Sequence, residues 1–178
     1  MPDPLHPALV HFPIVLILLG AAAAIVAACW RGGQVPRFAA LLLALGALGA
    51  WAAVETGESS GGLLERGSPE MEGLVDAHET WAKRTFALAG VAAVASVAAA
   101  LAGRCPRLAR GVAVMAAIAS AAAAYAVYET GQRGGALVYR HAAGVEVLAH
   151  PPPGDGDTAT HPRTAQNAEG KTKDRDPD

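Results

Sequence analysis

Phe12-Pro-Ile-Val-Leu-Ile-Leu-Leu-Gly-Ala-Ala-Ala-Ala-Ile-Val-Ala-Ala-Cys-Trp30 carries no charged side chain over 19 residues. Crossing a hydrocarbon core of roughly 30 Å takes about 20 residues of helix. Flanking residues supply the missing turn. In lipid each backbone donor and acceptor must be satisfied within the segment, so such a run is helical.

Three more charge-free runs follow, Phe38–Val54, Thr85–Gly103 and Gly111–Tyr128, of 17 to 19 residues each. None shows a polar face at helical spacing, which a helix on the surface of a water-soluble bundle needs. The whole chain is 52% hydrophobic and 17% charged, below the quarter or so of charged residues usual in soluble domains. The expected fold is an all-α integral membrane protein, a bundle of four transmembrane helices. They are placed at about 9–30, 37–56, 78–103 and 108–130 in a domain of residues 1–150. From Pro151 to Asp178 the chain is Pro, Gly, Asp, Thr and Lys with little to bury, and a disordered tail is expected.

The helices pair as two copies of one hairpin. Glu55-Thr56-Gly57 matches Glu129-Thr130-Gly131, and Gly61, Leu63 and Arg66 match Gly135, Leu137 and Arg140, all 74 residues apart. The turns Arg31–Arg37 and Arg104–Arg110 are equal in length and 73 apart, while His6 and His78 are 72 apart. Both copies run in the same sense, so the repeat axis lies along the membrane normal. In this reading each Glu-Thr-Gly closes a helix with a C-terminal glycine. Ser68-Pro69-Glu70 has the cap, proline and acid of a helix start, so helix 3 begins outside the membrane. Gly134 to Ala149, with its β-branched and aromatic residues, reads as a short strand or a re-entrant cover over the helix ends.

The two short turns hold Arg31, Arg37, Arg104, Arg107 and Arg110 and no acid. The segment 55–84 is acidic, with Glu55, Glu58, Glu65, Glu70, Glu72, Asp76 and Glu79 against three basic residues. Positive loops stay in the cytoplasm. A multi-pass protein of a bacterial inner membrane is expected, with both termini outside.

Other motifs close quickly. Val26-Ala27-Ala28-Cys29 resembles a lipoprotein cleavage box, but residues 1–11 have no Lys or Arg for the positive region a leader requires. Cys29 and Cys105 are too few and too far apart for a zinc motif or a disulfide framework. No nucleophile–base spacing and no phosphate-cradling glycine loop argues for a hydrolase or transferase. Nucleic acid is not an expected partner; the lipid bilayer is.

The candidate chemistry belongs to histidines at one end. His6 and His11 stand at the outer end of helix 1, His78 at that of helix 3, and His141 follows helix 4. Glu55 and Glu129 end helices 2 and 4 on the same side. Helices 1 and 3 of an up-down bundle are diagonal, so their histidines face across it. Imidazole ligates metals and switches protonation near neutral pH. His6, His11, His78 and His141 are therefore the candidate cofactor ligands, and His11 and His78 with Glu55 and Glu129 the candidate metal set. His150 and His161, beside or within the tail, read as solvated.

His6-Pro-Ala-Leu-Val-His-Phe-Pro-Ile14, together with Gly135-Ala-Leu-Val-Tyr-Arg-His141, resembles the bacterial membrane family catalogued as domain of unknown function 2231. The resemblance covers roughly residues 4–146, and Ala142 departs from it where a glycine would follow the histidine. It implies a four-helix inner-membrane domain. Some members are joined to, or encoded beside, cytochrome c or Rieske-type domains, which implies a redox setting and such a protein as partner. Three functions stay open: a haem b-binding electron-transfer subunit, a non-haem site for copper, zinc or iron, and a cofactor-free structural subunit.

Overall fold

A computed structural model describes residues 9–30, 33–61, 69–102 and 106–141. Apart from short turns these residues are helical. The helices are α1 His11–Cys29, α2 Val35–Gly61, α3 Pro69–Leu101 and α4 Pro106–His141. Each packs on its neighbours in the ring α1–α2–α3–α4–α1, which leaves α1 and α3 diagonal, as expected. All four are long and apolar enough to cross a membrane.

The packing is sorted by size rather than by polarity. Inside lie Ile17, Leu43 and a column of alanines, among them Ala24, Ala39, Ala89, Ala92 and Ala123. Outside lie the large side chains, with Phe12 70%, Leu48 62% and Val94 71% exposed. In water so much open apolar surface would favour association; against lipid tails it costs nothing. Small residues inside let the backbones approach, which is how helices associate in a bilayer. A Cβ on Gly46 would stand 2.8 Å from Ile17 Cγ1, so α2 touches α1 there only because that position is bare.

Two expectations about helix ends are corrected. Glu55-Thr56-Gly57 and Glu129-Thr130-Gly131 do not terminate their helices. α2 runs on to Gly61 and α4 to His141. The Thr56 hydroxyl bonds the carbonyls of Ala52 and Ala53, at 2.9 and 3.1 Å, and the Thr130 hydroxyl bonds that of Ala126 at 2.8 Å. Neither glycine adopts the left-handed backbone of a C-terminal stop; among the described residues Gly33, in the first turn, has that conformation, at φ 77°. Residues 134–141, expected as strand or cover, are the last turns of α4, and 142–149 lie outside the described residues. The apolar positions Val127, Leu137 and their neighbours keep a helical period, and that packing overrides local β-propensity.

α3 starts at Pro69, with Glu70 and Glu72 in its first turn, as Ser68-Pro69-Glu70 predicts. At 1.5 Å per residue, the 33 residues of α3 and the 36 of α4 reach about 50 Å. Both therefore project beyond the hydrocarbon core, and they do so at the end opposite the arginine turns. The tail 151–178 lies outside the described residues.

Candidate functional site

The projecting part of α3 and α4 positions His78. On α4 one face carries Ala123, Val127, Thr130, Gly134 and Leu137, steps of three and four that keep it turned to the bundle. On α3 the matching face carries Val75, His78, Thr85 and Ala89. Val75 and Leu137, both buried, lie one turn further out than His78 and Gly134. The half-buried imidazole is thus set between an apolar layer outside and a hydroxyl layer inside.

The hydroxyl layer is the pair Thr85 and Thr130, whose Oγ1 atoms are 2.9 Å apart. Thr85 also bonds the Trp81 carbonyl at 2.9 Å. This contact closes α3 against α4 beneath the histidine. Any group held there sits at the rim of the bundle, above its alanine column.

His78 Nδ1 is 3.1 Å from the Thr130 carbonyl oxygen. A carbonyl only accepts, so Nδ1 carries the hydrogen, and in the neutral ring Nε2 carries the lone pair. Room for the ring comes from Gly134. A Cβ there would lie 3.0 Å from His78 Cε1 and 3.3 Å from Nδ1. Metal-ligating histidines are commonly held by a hydrogen bond from one ring nitrogen to a backbone carbonyl, and His78 makes a bond of that kind to Thr130.

Beside it, on the flank of α3 and α4, lies a second cluster. The Arg84 and Arg133 guanidinium carbons are 4.9 and 4.7 Å from the Trp81 ring centre. Tyr125 meets the same ring edge-on at 6.0 Å. Glu129 pairs with Arg133 one turn along. Lys83 bridges Glu58 of α2 at 2.9 Å and also pairs with Glu79, tying the two hairpins together at this end.

The predicted site residues are therefore placed as follows. His78 is held between α3 and α4. Glu129 belongs to the Trp81 flank through Arg133, and Glu55 is exposed on α2. His11 is exposed at the start of α1. His141 is the last residue of α4, and His6 lies outside the described residues. Among the described residues no three His, Cys, Asp or Glu side chains gather closely enough to hold an ion. The sequence reading missed Thr130 and Gly134 as the seat of His78. The signal was present in their spacing from Val127, had α4 been continued past Gly131.

The model of a family of predicted membrane proteins, DUF2231, matches residues 2–147, and the chain belongs to that family. No curated protein and no solved structure matches it.

Proposed function

We propose that this chain is a bacterial inner-membrane electron-transfer subunit, holding a haem b at its outer rim through His78 Nε2 and an imidazole from the segment that opens α1. The observation that carries this reading is the Nδ1–H bond from His78 to the Thr130 carbonyl. That bond fixes both the tautomer and the ring plane. Haem asks for two imidazoles; beside His78 the sequence offers His6 and His11 at the head of helix 1 and His141 at the end of α4. A non-haem site would draw on His11, His78, Glu55 and Glu129, but Glu129 is engaged by Arg133. When bound, haem supplies one-electron chemistry at a potential set by its ligands and surroundings. The protein's own part is to hold the imidazole, and to keep water from it by the Val75 and Leu137 layer. A separate cytochrome c or Rieske-type protein would then be the redox partner.

The test is the full-length protein purified in detergent from cells supplied with haem and metals. Expected is a b-type absorption spectrum that is lost in His78→Ala. A colourless protein carrying stoichiometric copper, zinc or iron would replace haem by the metal reading. A colourless, metal-free protein would leave the structural subunit.

A further inference from the structure

We infer that the Trp81 flank of α3 and α4 binds the phosphate of an anionic phospholipid, held by Arg84 and Arg133. This stands apart from the haem reading and rests on depth, on unspent donors and on the surface below the cluster.

Depth comes first. Arg84 directly precedes Thr85, where the charge-free run to Gly103 begins, so its station on α3 is the boundary of the hydrocarbon core. Trp81 lies about one turn further out, at the headgroup level where tryptophan collects in membrane proteins. Arg133 comes to the same ring from α4. The two guanidinium carbons stand 4.9 and 4.7 Å from the ring centre, so one small anion beside the ring can reach both.

The donors come second. An aromatic ring steadies a guanidinium through its quadrupole but does not neutralise it. Glu58 and Glu79 both pair with Lys83, and Glu129 pairs with Arg133. Among the described residues no carboxylate pairs with Arg84, which is exposed. Arg133 bonds both the carbonyl and the carboxylate of Glu129 through Nη1, which leaves Nη2 and Nε for another acceptor. Two cations at one ring thus share one carboxylate. The planar fork of a guanidinium matches a pair of phosphate oxygens, with charge on both sides of the bond.

The surface below selects a lipid over a dissolved anion. Seven residues inward from Arg84 on the same face of α3 is Val91, and seven inward from Tyr125 on α4 is Ile118. They are 58% and 59% exposed, an apolar track for acyl chains beneath the headgroup. Outward along α3 the exposed side chains are Glu70, Glu72 and Asp76. These repel an anion arriving from water, whereas tails lying on the track bring a phosphate to the arginines from the membrane side.

The experiment is native mass spectrometry of the full-length protein, delipidated in a neutral detergent. Dioleoyl phosphatidylglycerol, dioleoyl phosphatidylcholine or inorganic phosphate is added to wild type, Arg84→Gln and Arg110→Gln. Expected is a preference of wild type for phosphatidylglycerol over phosphatidylcholine that falls about fivefold in Arg84→Gln, the order of one arginine beside an anionic headgroup. Arg110→Gln, at the other end of the bundle, should keep the full preference. Arg84 ties no two helices together by a hydrogen bond among the described residues, so Arg84→Gln should keep the wild-type circular dichroism at 222 nm. Equal retention of the two lipids by wild type, an unchanged preference in Arg84→Gln, or an equal loss in Arg110→Gln overturns the site. Inorganic phosphate bound as tightly as phosphatidylglycerol overturns the choice of a lipid.

Discussion

Two features seat the His78 ring at the residue scale: the Thr130 carbonyl oxygen and the absence of a Cβ at Gly134. Replacing Gly134 by Ala would favour the helix by about 1 kcal/mol through propensity. It would also drive a methyl into the His78 ring, where the nearest atoms stand at 3.0 and 3.3 Å. Overpacking of that kind costs about 1–3 kcal/mol, so the ring must tilt off its carbonyl. Gly134→Ala is expected to keep the bundle folded but weaken haem uptake at least tenfold, measured by titration beside wild type. Unchanged uptake would mean that the ring is not held by this seat. His78 was readable in the sequence as a residue type at the right end of a helix. Its anchor was not, because a backbone carbonyl belongs to every residue and leaves no mark in the pattern. His11 stands exposed at the start of α1. In lipid an outward stripe such as Val15 and Leu18 is as apolar as an inward one, so depth along the helix was legible and facing was not.

Among the elements, the same limit explains what was right and what was not. Charge-free length located all four helices, since lipid excludes charge. It could not locate their outer ends, because α3 and α4 leave the membrane and continue as an ordinary amphipathic pair. There Glu-Thr-Gly imitates a stop. Gly131 tests this directly: it is exposed, its backbone is right-handed, and nothing lies within 4 Å of a Cβ built on it. Inside a helix Gly→Ala then stabilises by about 0.5–1 kcal/mol. At a left-handed C-terminal position the same change would destabilise. Gly131→Ala is expected to raise the thermal midpoint of the detergent-solubilised protein, read by circular dichroism at 222 nm. A lowered midpoint would return the end of α4 to Gly131.

For the whole molecule, the question is which side of the membrane the His78 rim faces. The antiparallel ring puts both short turns at one end and the projecting halves of α3 and α4 at the other. Arg37, Arg107 and Arg110 are exposed at the turn end, and the sequence adds Arg31 and Arg104 with no acid among them. Arginines within short loops set orientation, whereas Asp and Glu contribute little, so the acidic segment after α2 does not compete. Reporter fusions at residues 34 and 107 are expected to read cytoplasmic, and one at residue 62 extracytoplasmic. The rim would then lie where a soluble cytochrome c or Rieske-type domain could approach it, some turns above the lipid. The opposite pattern would carry His78 and its Thr130 seat to the cytoplasmic face. It would remove that class of partner while leaving the geometry of the ring untouched, so topology and ligation can fail independently.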